Sequence, residues 1–312
     1  MLPWFKSGGP EPLARTALSS QPSLELAIDE VASSLKGMGP ADLALVFCSS
    51  SFASDLPRLL PLLQQKLEAQ HWLGACGGGV VGTNQLNQPQ ELEQGCGLSV
   101  TLLKLPGAQI NSFALDTKQL PDLDGPAEPW QQAVGADPQA GGAMLLWLDP
   151  TNSVINDLIS GLDYAYPAMA KLGGIAGNHS ANHGSLLLGD QVHHSAVGCV
   201  ISGAWTLEPV VAQGCRPIGP IFEVEQAKRN VVLELRQGED VANPVTALQQ
   251  VIDTLSEQDK ELLRNSLFVG LARNSFSLQQ ERSNNPFLVR NLMGVDPVSN
   301  THLTLPTTGV VG

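Results

Sequence analysis

The chain has 312 residues and a mass of 33.0 kDa, and 43% of its residues are hydrophobic. That is enough to fill one large core or two ordinary ones, and it excludes a wholly disordered chain. Only 15% are charged, with 17 Lys and Arg against 30 Asp and Glu for a net charge of −13, which excludes unaided nucleic-acid binding and electrostatic attachment to anionic membranes.

Residues 1–21 carry prolines and glycines with little periodicity and read as a lead-in, so 1–40 is expected to hold one helix only. That helix follows from Leu24, Ala27, Ile28, Val31 and Leu35, spaced as one apolar face. Leu43-Ala-Leu-Val-Phe-Cys48 is a continuous apolar run, which predicts a buried central strand. Leu56, Leu59, Leu60, Leu63 and Leu67 stripe a second helix, with Ser54 expected as its cap, and a glycine turn follows at Leu73-Gly-Ala-Cys-Gly-Gly-Gly-Val-Val-Gly82. Gly95-Cys-Gly-Leu-Ser-Val-Thr-Leu-Leu103 then predicts a strand. Residues 120–142 read as a linker.

The same order of events returns beyond it. Ala143-Met-Leu-Leu-Trp-Leu148 predicts a strand, and Asp149-Pro150 a helix cap with proline at the first helical position. Val154, Ile155, Leu158, Ile159 and Leu162 stripe the helix, Leu172-Gly-Gly-Ile-Ala-Gly177 supplies a second glycine turn, and Val197-Gly-Cys-Val-Ile201 another strand. The recurrence predicts an α/β or α+β fold of two pseudo-repeated halves, about 41–120 and 143–237, with mixed sheets flanked by helices. Further on, Asn230-Val-Val-Leu-Glu-Leu235 predicts a strand, Asn243-Pro244 opens a helix, and Ser256 with Asp259 forms a capping-box-like start for another. Residues 267–272 and 287–293 are strand candidates.

No Gly-x-Ser-x-Gly elbow, His-Glu-x-x-His or phosphate loop occurs. Gly77-x-Gly79-x-x-Gly82 matches the dinucleotide pattern formally, but no helix start follows to receive a pyrophosphate. Gly77, Gly78, Gly173 and Gly174 are expected instead to let backbone approach backbone, or a small ligand at a sheet edge. His179, His183, His193 and His194 cluster in a turn-like segment, a spacing compatible with a metal or haem iron, although no Cys or carboxylate nearby in sequence completes a ligand set. In Gln213-Gly-Cys-Arg-Pro-Ile-Gly219 the thiol of Cys215 stands beside Arg216, which offers either an activated thiolate or an anchor for a ligand carboxylate. Arg290 and Asn291 interrupt an apolar strand and complete the set of candidate ligand-binding residues.

No apolar run approaches the roughly 18 residues that span a bilayer, so no membrane insertion is expected. The N-terminus has no apolar leader pattern, and the five cysteines never form Cys-x-x-Cys, which together predict a cytoplasmic protein with thiols packed as small hydrophobes.

Leu43-Ala-Leu-Val-Phe47, Gly74-Ala-Cys-Gly-Gly-Gly79, Leu172-Gly-Gly174, Gly214-Cys-Arg-Pro-Ile-Gly219 and Asn230-Val-Val-Leu-Glu-Leu235 together resemble the N-terminal part of the FIST family, the F-box and intracellular signal transduction proteins. Phe287-Leu-Val-Arg-Asn-Leu-Met-Gly-Val-Asp296 resembles the family's C-terminal part. The resemblance implies a FIST N-like domain over 41–237, an incomplete C-like domain over 238–298, and a tail, 299–312, that departs from the pattern and is expected to be non-native. It further implies a sensory module that binds amino acids or similar small molecules, has no catalysis of its own and passes its state to a separate signalling protein. Some members are regarded as haem-dependent gas sensors, so haem through the histidine cluster stands as an alternative to a cofactor-free module. A cysteine-dependent or hydrolase-type enzyme centred on Cys215 is another.

Overall fold

The computed structural model describes residues 11–209, 215–228, 231–263, 267–272, 287–291, 294–295 and 303–304. The chain divides into two compact units, Met1–Pro209 and Val210–Gly312. Among the described residues no helix is long and apolar enough to cross a membrane.

The first unit runs β1 (Leu13–Ser19), α1 (Leu24–Ser34), β2 (Ala41–Ser49), α2 (Leu56–Gln64), β3 (Ala69–Gly77), β4 (Val80–Thr83), β5 (Pro89–Leu92) and β6 (Leu98–Lys104). It continues through β7 (Ala108–Leu115), α3 (Glu128–Val134), β8 (Ala143–Leu148), α4 (Ile155–Ala165), β9 (Ala170–Ile175), β10 (Leu186–Leu188), β11 (Gln191–His193) and β12 (Ala196–Gly203). One sheet has the order β1-β6-β2-β3-β10-β11 and the other β7-β12-β8-β9. The first four strands of the one match the four of the other in order and sense: β2 and β3 are parallel, as are β8 and β9, and the remaining neighbours are antiparallel. This is the mixed, pseudo-repeated α/β fold that the recurrence in sequence predicts.

The two sheets face each other across a layer that includes Leu43, Leu73, Leu186, Val197, Cys199 and Ile201. Phe47 and Trp147, which hold equivalent places on β2 and β8, meet in that layer with ring centroids 5.7 Å apart. The apolar faces of α1 and α2 close the outer side of the first sheet, and those of α3 and α4 close the second. Every strand that is central in its sheet is thus covered on both faces, which is why β2 and β8 read as unbroken apolar runs.

Several local expectations are corrected. Leu13–Ser19 is a strand, not lead-in; only its last three residues are buried, so it carries no alternation to read. The helix α2 follows a short 3-10 turn, Ser50–Asp55, and starts at Leu56, so Ser54 lies inside that turn and does not cap it. Residues expected as linker form α3, whose seven residues are too few to show a period but carry the fully buried Trp130. Gly161 makes room for it: a Cβ there would stand 2.1 Å from the indole ring. Asp149 does not cap α4, which begins six residues later at Ile155.

The glycine segments are likewise strands rather than turns over part of their length. Gly74 lies within β3 opposite Val46, and Gly173 and Gly174 lie within β9 opposite Leu146 and Trp147. An ideal Cβ on Gly74 would sit 1.8 Å from the Val46 carbonyl oxygen, and one on Gly173 1.7 Å from that of Leu146. No side chain fits either place.

The second unit holds β13 (Glu223–Lys228), β14 (Val231–Gln237), β15 (Asp240–Ala242), α5 (Pro244–Asp253), α6 (Glu257–Leu263), β16 (Phe268–Ala272), β17 (Phe287–Asn291), β18 (Gly294–Val295) and β19 (Leu303–Thr304). Asn243 caps α5 by accepting from the Thr246 N–H at 2.9 Å, and Ser256 accepts from the Asp259 N–H at 3.2 Å, both as the sequence predicts. Strand β19, within the segment expected to be non-native, pairs with β14 and β18. The rest of that segment, Gly214 and residues 292–293 of the last predicted strand lie outside the described residues.

Gly74→Ala and Gly173→Ala should each lower the unfolding free energy by on the order of 3 kcal/mol or prevent folding, because the obstacle is backbone and cannot move aside. Gly78→Ala and Gly174→Ala, where no atom stands within 4 Å of the added carbon, should stay within about 0.5 kcal/mol of the parent in urea titrations.

Candidate functional site

The parallel strands β2, β3, β8 and β9 end where the chain is tied together across the two halves. After β9 the Ala176 N–H donates to Leu148 O and the Gly177 N–H to Cys76 O, each at 2.8 Å. Gly177 runs directly over Gly77 and Gly78: a Cβ on it would lie 2.8 Å from both the Gly77 carbonyl carbon and the Gly78 nitrogen. Gly177 and Gly77 therefore serve close backbone approach, a Cβ on Gly77 standing 2.7 Å from Gly79 O, whereas Gly78 has open space where its side chain would be. The returning chain is fixed by the Cys76 N–H, which donates to Ser185 O at 2.8 Å.

Asp149, just past the end of β8, is only 2% exposed. Its Oδ2 accepts from the Ser185 N–H at 2.9 Å, and its Oδ1 from the Thr151 N–H at 3.0 Å and the Thr151 hydroxyl at 2.6 Å. Burial works to raise its pKa, but these hydrogen bonds and nearby His194 outweigh it and hold the carboxyl below its ordinary 3.8. Asp149 thus clamps the two loops that leave the ends of β8 and β9.

Between those clamps the 177–184 loop carries His179 and His183, with ring centroids 5.2 Å apart. His179 Nδ1 accepts from the Ala181 N–H at 3.2 Å, which leaves the ring proton on Nε2. His183 Nδ1 lies 3.0 Å from Gly184 O and must donate to it, which in the neutral ring leaves Nε2 an acceptor. Both Nε2 atoms are buried without a partner, and so is Nδ2 of Asn152, whose Oδ1 is engaged by the Val154 N–H. Four side-chain nitrogens are in this condition among the described residues, and three of them lie on the loops following β8 and β9. The carboxyl ends of parallel strands are where open α/β sheets take ligands.

The sequence candidates fall in both units. Gly77 and Gly78 belong to this junction; Gly173 and Gly174 precede it within β9, the edge strand of its sheet, and are exposed. Cys215, Arg216, Arg290 and Asn291 belong to the second unit. Cys215 is half-buried, while the Arg216 side chain is 67% exposed and paired with Asp259 at 2.5 Å. Arg290 is half-buried and donates from Nη1 to Val289 O at 3.3 Å; Asn291 pairs in register with Phe268. His193 sits in β11 opposite Leu186, and burial lowers its pKa. Sequence reasoning missed Asp149, Asn152 and Ser185, since Asp-Pro signals a helix cap and nothing local marks the other two.

Both free imidazole nitrogens of the pair are closed off, and neither of two surface depressions is lined by a histidine: one of about 770 Å³ around Lys36 and Lys66, and one of about 160 Å³ around Asn84. No group of three or more His, Cys, Asp or Glu positioned for a metal occurs among the described residues. Cys48, Cys76 and Cys199 of the first unit are buried core residues and Cys96 is half-buried; burial pushes the Cys199 thiol up to about 12, and a hydrogen bond to Cys76 together with burial raises that of Cys48.

A duplicated α/β sandwich with buried, unmatched polar atoms on the loops at its strand ends is the class that fold and site define. Residues 42–237 match the FIST N domain family, and the chain belongs to that family of signal-transduction sensory domains. It is 27% identical to an uncharacterized protein of Mycobacterium tuberculosis over 95% of this chain and 71% of the relative. It is also 28% identical to an uncharacterized protein of Mycobacterium bovis over 49% of this chain and 38% of the relative.

Asp149→Asn should cost about 1–3 kcal/mol at neutral pH, because the amide would turn a donor toward an N–H or hydroxyl that now meets an acceptor. The stability supplied by the carboxylate is complete above 3.8 and lost as the pH falls from there through its lower folded value. Urea titrations at pH 7 and pH 3 should therefore show a smaller loss on acidification in the variant than in the parent.

Proposed function

We propose that the first unit is a small-molecule sensor that takes an amino acid, or a molecule carrying the same two groups, at the loops after β8 and β9, without catalysing a reaction. One observation carries this reading: Asn152 Nδ2, His179 Nε2 and His183 Nε2 are buried and unmatched, two as donors and one as an acceptor. An unmatched buried polar atom costs about 1–3 kcal/mol. A ligand carboxylate would accept from Asn152 and His179, and a ligand ammonium would donate to His183. Since the three atoms are closed from solvent, entry requires the 177–184 loop to move, and that movement is the signal passed on. The expected location is the cytoplasm, where free amino acids and the implied signalling protein would both be met.

Thermal unfolding of the full chain against a panel of free amino acids tests the reading, because a ligand that binds only the folded state raises the midpoint by mass action. At least one α-amino acid should raise it; its decarboxylated amine and its deaminated acid should do so far less. His179→Ala and His183→Ala should each abolish the shift. No shift from any member, or shifts that survive in both variants, would refute the assignment.

A further inference from the structure

The two halves differ at one sheet edge, and the difference points to a docking surface. The outer edge of β3 is covered by β10, with Leu188, Leu187 and Leu186 opposite Leu73, Gly74 and Ala75. The equivalent residues of β9 are Leu172, Gly173 and Gly174, opposite Leu145, Leu146 and Trp147 as their counterparts are opposite Leu45, Val46 and Phe47. Among the described residues β9 pairs with β8 alone. Gly173 and Gly174 are exposed and Ile175 is 58% exposed. The hairpin of the first half that corresponds to β10–β11 is β4–β5, and it forms its own two-stranded sheet instead of covering β9.

Natural edges of this kind are blunted by lysine, proline or a bulge. Here Lys171 is turned away, its ammonium held by Tyr166 O at 2.8 Å, Met169 O at 3.1 Å and Asp163 at 2.9 Å. The register of β8 with β9 is unbroken, and the strand contains no proline.

We propose that β9 is a docking edge that receives an extended apolar segment of another protein as an added antiparallel strand, with a bulky aliphatic side chain opposite Gly173. The covered edge of the first half supplies the template: Leu187 lies opposite Gly74 and is fully buried. A second copy of β9 is the poorer occupant, since antiparallel pairing of Ala-Lys-Leu-Gly-Gly-Ile with itself sets glycine near glycine and leaves no cross-strand side-chain contact at the centre. The net charge of −13 favours an incoming segment with basic flanks. This inference does not depend on the ligand assignment.

The probe is a synthetic peptide of residues 185–194, the chain's own strand-and-turn template, with a second peptide carrying Leu187→Asp. Hydrogen exchange is followed on the full chain, alone and with about 1 mM peptide, a concentration that reveals even weak strand addition. The outward amides of 172–175 should exchange freely in the chain alone and slow at least about tenfold with the first peptide but not the second. Gly174→Lys, which enters open space and so leaves the thermal midpoint in place, should remove the slowing. Amides already protected in the chain alone, with a dimeric mass, would mean that a second copy occupies the edge and would overturn the proposal. Absence of slowing, or slowing that persists in Gly174→Lys, would overturn it as well.

Discussion

The geometry of the first unit depends on two places where a strand is pressed against its parallel neighbour's carbonyl. Gly74 against Val46 and Gly173 against Leu146 leave no volume for even a methyl group. At an equivalent point in each half the backbone of β3 and β9 is turned so that a Cβ would point straight at the neighbouring carbonyl, a conformation open only to a residue without a side chain. These glycines lie three residues before the end of β3 and two before the end of β9. The loops that follow meet, backbone on backbone, at Gly77, Gly78 and Gly177.

What stands at that meeting point is a contrast between satisfied and unsatisfied polar groups. Asp149 buries a charge but receives three hydrogen bonds, enough to keep it ionised and to lock two loops together. Asn152, three residues on, and His179 and His183 on the loop after β9 bury nitrogens that no protein group meets. A fold that spends so much order on one clamp would be expected to satisfy its neighbours if stability were the only demand. The imbalance sets the loops after β8 and β9 apart from the rest of the described first unit, and it is what the proposed ligand would remove.

Most of the architecture was legible because the buried strands and the amphipathic helices each obey one period. Leu24, Ala27, Ile28 and Val31 face one core as their spacing requires, and the duplication is visible because both halves repeat the same strand, helix and glycine order. Helix α3 was not legible, since only Trp130 and Val134 anchor it, and neither was β1, three of whose seven residues face solvent. The site was legible only in its glycines and histidines. Asp149 looked like a helix cap because Asp-Pro has the right local chemistry for one; its actual partner, Ser185, is 36 residues away, a separation no periodicity reports. Cys215 and Arg216 drew attention by composition, yet they belong to a different unit from the polar cluster.

The same kind of reasoning explains why duplication did not produce symmetry. Each half carries a hairpin between its third strand and the strand that follows it in chain order, but the two hairpins have different compositions. Leu186-Leu187-Leu188 is apolar throughout and gains by burying itself along β3 between the sheets and beneath α2. Pro89-Gln-Glu-Leu92 has a proline that cannot donate to a ladder and two polar residues that would lose water, and Val81 and Leu86 of the same hairpin are already 66% and 77% exposed. Added to a buried edge, it would leave a donor missing and charge without a partner. It folds on its own half instead, and the bare edge of β9 follows directly from the composition of a hairpin some eighty residues earlier in the chain.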